Sequence, residues 1–177
     1  MTAALRESKN WFSEEIRQSS AEEHAKTMLE RARWAAAAFA GFDRERTLKI
    51  ARAAADAGFA KAGHYGDWAV KETGFGVAEH KKIKNELCSR GIYEHYKNEH
   101  LVGKRIDRDA KIVEIARPAG VVFALTPSTN PVSTVYFKIM CALLTRNAIL
   151  ISPHPLPKAC SADAPRMTQD AAAKAAA

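Results

Sequence analysis

Cysteine is scarce in this sequence, and its spacing excludes the usual cysteine frameworks. The 177 residues contain three cysteines, Cys88, Cys141 and Cys160, and no two of them form a C-x-x-C pair. An odd count without that spacing argues against a disulfide framework and against a structural zinc site. It is typical of proteins in a reducing compartment, so we expect a cytoplasmic protein with free thiols.

Long apolar runs and an export signal are missing as well. No segment approaches the roughly 20 apolar residues that cross a bilayer, and Met1 is not followed by a basic start and an apolar core. With 47% apolar and 27% charged residues, the composition is that of a soluble globular protein of one ordinary domain. We therefore expect no membrane partner and no export.

Signals for nucleic-acid and metal binding are also absent. Lys and Arg number 27 against 20 Asp and Glu, and the resulting formal net charge of +7 could attract the phosphates of a nucleotide or a nucleic acid. The charges are scattered at helical spacing, which is typical of a solvated surface, and no basic patch interleaved with aromatic residues occurs. None of the six histidines lies in an HExxH-like pattern. The sequence predicts neither a nucleic-acid partner nor a metal site.

Helical periodicity runs through the first half of the chain. Ser20 and Glu23 form the pattern of a capping box ahead of a helix that Gly41 would end. Asp43 is the predicted N-cap of a second helix, whose apolar face carries Leu48, Ala51, Ala55 and Phe59.

Two further helices are predicted before residue 100. The first covers Asp67–Glu72 and ends at Thr73-Gly74, because glycine readily stops a helix. The second covers residues 77–97 and is expected to point Ile83, Leu87 and either Tyr93 or Tyr96 inward. These helices define a predicted helical N-terminal part, residues 1–103.

The pattern changes to that of strands near residue 104. Residues 111–116 predict a strand, and residues 120–126 and 148–152 have no polar face, which is typical of strands buried on both sides. Between the last two, Asn130 and Pro131 predict the N-cap and first residue of a helix that presents Val135, Ile139, Ala142 and Leu143. We expect one parallel strand–helix–strand unit.

The predicted fold is therefore α/β, with a helical layer followed by residues 104–177 as the first part of a second unit. Residues 159–177 predict an alanine-rich helix with Pro165 in its first half. A parallel sheet of two strands leaves apolar faces and edges uncovered, which indicates an incomplete domain.

Polar residues follow the first fully apolar strand at its carboxyl end. In open α/β sheets ligands collect at this edge, where helix N-termini direct positive partial charge outward. A helix-capping loop without a ligand would have the same local pattern, so the pattern leaves both interpretations open. The residues at this edge are Leu125, Thr126, Pro127, Ser128, Thr129 and Asn130, with Ser152, Pro153 and His154 beside them.

These segments resemble the aldehyde dehydrogenase superfamily. The resemblance covers residues 21–154, and its Thr-Pro-x-Thr-Asn-Pro and Ser-Pro-His-Pro forms are similar to the CoA-acylating members. Those members include acetaldehyde, propionaldehyde and acylating sulfoacetaldehyde dehydrogenases. The motifs, in order, are Glu72-Thr-Gly-Phe-Gly76, Lys82-Ile-Lys-Asn85, Glu114-Ile-Ala-Arg-Pro-Ala-Gly-Val-Val122, Thr126-Pro-Ser-Thr-Asn-Pro131, Lys138 and Thr145-Arg-Asn-Ala-Ile-Leu-Ile-Ser-Pro-His-Pro155.

The resemblance implies a Rossmann-like domain and an enzyme that oxidises an aldehyde with NAD or NADP. It also implies a Cys thioester and coenzyme A as acyl acceptor. The loop 125–130 would lie at the nicotinamide end of the cofactor and help to form an oxyanion hole. Without a gap, the family's third loop position is Thr129, and Asn130 comes one residue later, so both are candidate catalytic residues. Hydrolytic members end the second strand with a lysine that contacts the adenosine ribose, and Ser152 stands at that position here. The choice between NAD and NADP therefore stays open.

The family's nucleophile is a cysteine in a loop beyond residue 177, and none of the three cysteines matches it. We therefore expect the chain alone to be inactive. A non-catalytic remnant of the family is the alternative, and a hydrolytic aldehyde dehydrogenase is disfavoured by the loop sequence. The resemblance also implies that residues 111–117 form a strand at a subunit interface, hence a homo-oligomer.

Overall fold

A computed structural model describes the backbone of residues 4–177 and the side chains of residues 20–177. Seven α-helices and four strands follow one another in the described part, and a π-helical turn, Leu87–Gly91, joins two of the helices. The helices are α1 (Ala4–Ala40), α2 (Arg44–Ala60), α3 (Ala62–Thr73), α4 (Ala78–Glu86), α5 (Ile92–Tyr96), α6 (Pro131–Leu144) and α7 (Lys158–Ala176). The strands are β1 (Gly103–Asp107), β2 (Ile112–Ala116), β3 (Val121–Leu125) and β4 (Ala148–Ser152).

The first helix does not start at the predicted capping box. Ser20 lies inside α1, so the prediction of a helix start at Ser20 and Glu23 is wrong. The helix sequence contains neither proline nor glycine ahead of Ser20, and an interior serine costs only a few tenths of a kcal/mol, about 0.5, relative to alanine. The predicted end is confirmed, because α1 stops at Ala40, directly before Gly41.

Helix α2 begins as predicted, and α3 is longer than predicted. The Asp43 carboxylate accepts a hydrogen bond from the backbone N–H of Arg46 at 2.8 Å, which confirms Asp43 as the N-cap. Helix α3 starts at Ala62 although it contains Gly66, which weakens a helix. A Cβ at Gly66 would lie 2.8 Å from the carbonyl oxygen of Ala78, so the glycine allows α4 to approach. Gly74 ends α3 in the left-handed conformation, with φ of 69°.

The helical segment over residues 77–97 is present, and its buried face agrees with the prediction at Tyr93, which is 7% exposed, but not in its first half. Ile83 and Leu87 are 55% and 61% exposed, so their predicted inward orientation is wrong. Lys81, Asn85 and Ser89, spaced four residues apart, face the interior instead. This polar face is tolerated because its groups are hydrogen-bonded: Asn85 donates to the Ala62 carbonyl at 3.0 Å, and Ser89 donates to that of Asn85 at 2.6 Å.

The strands form two separate two-stranded sheets. β1, which the sequence patterns did not predict, pairs antiparallel with β2 from Gly103 opposite Ala116 to Asp107 opposite Ile112. β3 pairs parallel with β4 from Val121 opposite Ala148 to Leu125 opposite Ser152, with α6 between them in the chain. The predicted parallel strand–helix–strand unit is confirmed.

The prediction that residues 120–126 are buried on both faces is wrong. Ala124 is 2% exposed, but its neighbours Phe123 and Leu125 are 67% and 64% exposed. Side chains alternate between the two faces of a strand, so only one face of β3 is covered in this chain. An apolar run shows that a strand can be buried on both faces. Whether a face is buried depends on another element that packs against it.

The core lies where α2, α3, α6 and α7 meet. Alanines on α2, among them Ala51 and Ala55 at 0% exposure, allow α6 and α7 to pack closely against it. From α6 the core takes Val132, Val135, Tyr136, Ile139, Met140 and Leu144. Helix α7 confirms the predicted C-terminal helix and contributes Cys160 and Ala164.

Arg146 and Asn147, in the turn between α6 and β4, connect the helical layer to both sheets. Arg146 adopts a positive φ of 59° and donates to the carbonyls of Ala40 at 2.7 Å and Ala116 at 3.0 Å. The Asn147 side chain accepts from the N–H of Gly120 at 2.7 Å. These residues of the Thr145-Arg-Asn motif therefore have a structural role, since they fix the ends of α1, β2 and β3.

Candidate functional site at the β3–α6 loop

The predicted site residues lie at one edge of the parallel sheet. β3 and β4 run in the same direction, so Leu125 and Ser152 are register partners at their carboxyl ends. The backbone N–H of Thr126 donates to the Ser152 carbonyl at 3.1 Å, which extends the pairing into the loop. The sheet thus brings the loop after β3, residues 126–130, beside the start of the segment after β4.

The predicted residues differ in their surroundings. Thr126 is 5% exposed, and its hydroxyl has no hydrogen-bond partner within the described part of the chain. Ser128 and Asn130 are half-buried, as are Ser152 and Pro153. The exposed members of the set are Leu125, Pro127, Thr129 and His154. The His154 imidazole accepts from the Leu156 N–H at 3.1 Å, so it shapes the turn after β4.

Helix α6 begins where the sequence predicted, with Asn130 at the N-cap position and Pro131 as its first residue. The predicted side-chain cap is not formed. The Asn130 side-chain oxygen instead accepts from the ammonium group of Lys84 at 3.1 Å. A charge-assisted hydrogen bond is stronger than a neutral one, which explains why the oxygen turns away from the helix end.

Three lysines donate hydrogen bonds to this loop. Lys81 Nζ donates to the Thr129 carbonyl at 2.7 Å, and Lys138 Nζ donates to the Leu125 carbonyl at 2.5 Å. With the contact from Lys84, both ends of the loop are held by ammonium groups. Lys84 and Lys138 belong to the family motifs, but no sequence pattern placed Lys81 or Lys84 at the loop. Their spacing of three residues on a predicted helix was the available signal, because it puts both on one face.

Lys81 is an unusual member of this set because it is 7% exposed. Burial lowers the pKa of Lys81, and the neighbouring ammonium of Lys84 lowers it further. Lys81 and Asn130 line the same small cleft, together with Asn85, Pro131 and Ser133. The interior side of the loop is therefore positively polarised.

The three cysteines favour their protonated forms. Burial raises the pKa of the Cys88 and Cys141 thiols above the ordinary value. Burial, with the carboxylate of Glu72 nearby, raises the pKa of Cys160 to about 12. A nucleophilic cysteine requires a lowered pKa, so these environments are those of packing residues.

Among the described residues, no three His, Cys, Asp or Glu side chains converge as a metal site requires. None of the described helices combines the length and hydropathy needed to cross a membrane.

Comparison with known proteins identifies the family of this chain. Residues 13–174 match the aldehyde dehydrogenase family. The chain is 41% identical over 132 residues to the bifunctional aldehyde-alcohol dehydrogenase of Escherichia coli (strain K12), which covers 74% of this chain and 15% of that protein. It is 35% identical over 138 residues to the succinate-semialdehyde dehydrogenase (acetylating) of Clostridium kluyveri, which covers 77% of this chain and 30% of that protein.

A solved structure supports the same assignment. The crystal structure of an acetylating aldehyde dehydrogenase from Geobacillus thermoglucosidasius matches with a TM-score of 0.83 and 39% identity, over 86% of this chain and 34% of that chain. This chain therefore spans about a third or less of the length of these relatives. The predicted resemblance to CoA-acylating members and the α/β fold are confirmed. The chain belongs to the aldehyde dehydrogenase family.

Proposed function

We propose that this chain provides the loop that meets the cofactor and the oxyanion in a CoA-acylating aldehyde dehydrogenase. The complete enzyme would oxidise an aldehyde with NAD or NADP and transfer the acyl group to coenzyme A in the cytoplasm. The observation that carries the proposal is the position of residues 125–130, at the carboxyl edge of the parallel strands and at the start of α6. The acetylating activities in the relatives' names support the reaction class.

The residues at this edge fit a nicotinamide cofactor. The buried Thr126 hydroxyl has no partner in the described part of the chain, and such an atom costs roughly 1–3 kcal/mol until a partner is found. Within the described residues the first turn of α6 has no side-chain cap, so the N–H groups of Val132 and Ser133 are available to a polar ligand. We assign the binding of the cofactor to Leu125–Asn130, Ser152, Pro153 and His154. NAD or NADP, when bound, supplies the acceptor for the hydride of the aldehyde.

The loop would also stabilise negative charge on the substrate. When a thiolate adds to the aldehyde carbon, the carbonyl oxygen gains charge, and a fixed N–H or O–H donor lowers the barrier by about 3–4 kcal/mol. Thr129 and Asn130 are the candidate donors. We propose that the nucleophilic cysteine is none of Cys88, Cys141 and Cys160, because all three favour the protonated thiol.

We further propose that the complete enzyme is a homo-oligomer assembled through the β1–β2 hairpin. Ile106, Val113 and Ile115 are 53%, 57% and 59% exposed, and the register places all three on one face of the hairpin. Apolar surface of this kind on a two-stranded sheet favours pairing with another copy.

The proposed loop function is tested by Thr129→Ala and Asn130→Ala in the complete enzyme. Loss of the oxyanion donor should lower kcat by about 100-fold and should weaken the binding of NAD or NADP much less. Reduced nicotinamide is followed by absorbance with an aldehyde series, with and without coenzyme A. The control is Lys82→Met on α4, which lies outside the residues assigned to the cofactor and the oxyanion and pairs with Glu79. Near-normal turnover in both the Thr129 and Asn130 variants would refute the proposal.

A further inference from the structure

The contact between Lys84 and Asn130 fixes which end of the Asn130 amide is free. Lys84 Nζ lies 3.1 Å from the Asn130 side-chain oxygen. An ammonium group has three donors and no acceptor, so only the amide oxygen of Asn130 can face it. The amide nitrogen therefore points away from Lys84. Among residues 20–177, the Asn130 side chain makes this one hydrogen bond, which leaves both N–H groups able to donate to a ligand.

The same contact strengthens the donors. An amide that accepts from a full positive charge becomes polarised, and its N–H groups become better donors. In the described part of the chain, no carboxylate lies within ion-pair distance of Lys84 or Lys81, so their charge is not offset locally. The neighbouring Lys82, by contrast, pairs with Glu79 at 3.3 Å.

The backbone under Asn130 is held from the same helix. Lys81, one turn before Lys84 on α4, donates to the carbonyl of Thr129 at 2.7 Å. A buried ammonium is costly without a partner, and this carbonyl is the partner that Lys81 has. The lysines of α4 thus hold two successive loop residues, Thr129 through its backbone carbonyl and Asn130 through its side chain.

Helix α4 is itself fixed in place. Asn85, 2% exposed, donates to the Ala62 carbonyl at 3.0 Å, and Gly66 lets α3 meet the backbone of α4 at close range. Because α4 cannot shift without breaking these contacts, the lysines hold the loop against a rigid support.

We propose that Lys84 is a positioning residue that orients the Asn130 amide as the oxyanion donor, with Lys81 anchoring the loop backbone. This inference rests on the proposed dehydrogenase function and selects Asn130 over Thr129 as the donor. Lys84 does not touch the substrate and acts through Asn130.

Kinetics of Lys84→Met in the complete enzyme test the proposal. We expect kcat to fall about tenfold, less than for removal of the donor itself, with KM for the aldehyde and Kd for the cofactor nearly unchanged. Lys84→Arg should recover most of kcat, because guanidinium is also a donor without an acceptor. Lys82→Met is the matched control and should behave as wild type. Lys84 is exposed, so its replacement leaves the core intact.

Nuclear magnetic resonance of the 177-residue chain provides a readout without activity. Labelling with 15N-asparagine gives one pair of side-chain amide signals for each of five asparagines, and Asn130→Asp assigns the pair of interest. In Lys84→Met the Asn130 amide signals should shift and lose order, whereas Lys82→Met should leave them unchanged.

The outcomes separate this inference from the proposed function. If Asn130→Ala is slow but Lys84→Met matches Lys82→Met in both kcat and amide signals, the positioning role is overturned and the proposed function stands. If Thr129→Ala is slow and Asn130→Ala is not, the choice of donor is overturned. If the amide signals respond to Lys84→Met but both alanine variants turn over normally, the proposed function fails while the contact itself is upheld.

Discussion

Glu72 uses both of its carboxylate oxygens to connect α3 with α7. One oxygen accepts from the indole N–H of Trp68 at 3.1 Å, and the other accepts from the backbone N–H of Cys160 at 3.1 Å. Cys160 lies in the first turn of α7, and the N-cap position of that helix is Pro157, which makes no side-chain cap. A negative charge at this point satisfies a free N–H and interacts favourably with the helix dipole.

Replacement of Glu72 should therefore destabilise the junction of α3 and α7. We expect Glu72→Ala to lower the free energy of unfolding by about 1–2 kcal/mol, and Glu72→Gln by less, because the amide oxygen still accepts one hydrogen bond. Urea unfolding followed by circular dichroism measures both. Glu30→Ala, at an exposed position of α1, is the control and should change stability by less than about 0.5 kcal/mol. Equal stability of Glu72→Ala and Glu30→Ala would show that the capping contact contributes nothing.

Residues of the candidate site differ in whether a local sequence pattern could point to them. Thr129 and Asn130 were proposed from sequence because they lie in the loop between an apolar strand and Pro131 and match the loop of the family that the sequence resembles. Lys81 and Lys84 contact them across 48 and 46 residues, and their helical spacing puts both on one face without identifying the loop that this face meets. Asn130 occupies the predicted N-cap position, but its side chain makes no cap for the same reason, since the oxygen accepts from the distant ammonium group of Lys84.

At the scale of elements, α4 reverses the usual distribution of side chains. Apolar Ile83, and Leu87 directly after the helix, are exposed, and polar Lys81 and Asn85 are buried. Apolar periodicity selects the face that would release most water, but it does not include hydrogen-bond partners on neighbouring elements. Here the carbonyls of Ala62 and Thr129 provide those partners.

The two faces of the β1–β2 hairpin differ, which allows a specific test of assembly. Ile106 pairs with Val113 and shares its face with Ile115 and Lys104, whereas the other face carries Ile112 and an ion pair between Arg105 and Glu114 at 2.9 Å. In the complete enzyme, Val113→Lys should reduce the assembly towards monomer, because it replaces apolar surface with a second ammonium group on the face that carries Lys104. Glu114→Gln, on the other face, should leave it unchanged.

Light scattering at micromolar concentration measures the masses of these variants. A wild-type protein with the mass of a monomer would contradict assembly through the hairpin. Equal masses for wild type and Val113→Lys, both larger than a monomer, would place the interface elsewhere.

At the scale of the whole molecule, helix packing controls the chemistry of the thiols. Cys160 lies in the core between α2, α3, α6 and α7, and Cys88 packs against that core. All three thiols have raised pKa values, so little thiolate forms at pH 8. We expect the folded chain to react with iodoacetamide at pH 8 far more slowly than the urea-unfolded chain, and Cys160 slowest of all. Mass spectrometry of the labelled peptides measures each site, and equal rates in both states would contradict the burial.

The same burial predicts a loss of stability at alkaline pH. The pKa of Cys160 rises from 9.0 to about 12 on folding, so the folded state holds this proton more tightly than the unfolded state. Its contribution is complete below pH 9 and is lost as the pH rises from 9 towards 12. In Cys160→Ala this part of the alkaline loss should disappear, which unfolding curves between pH 8 and 11 would measure.

The sequence by itself determined the local elements and the position of the candidate loop. Apolar runs at residues 120–126 and 148–152, with Asn130-Pro131 between them, were enough to predict a parallel unit, because strand length, helix start and side-chain period are local properties of the backbone. Asp43 and Gly74 marked a helix start and a helix end for the same reason.

Only the tertiary structure decided which faces are covered and what holds the loop. Phe123 is apolar yet exposed, and Lys81 is charged yet buried, because burial depends on which elements lie opposite each side chain. Strand β1 was not predicted from its own sequence, because its strand conformation depends on the hydrogen bonds that it forms with β2. The contact of Lys84 with Asn130 likewise exists because Gly66 and Asn85 fix α4 beside the loop, an arrangement that arises from packing between distant parts of the chain.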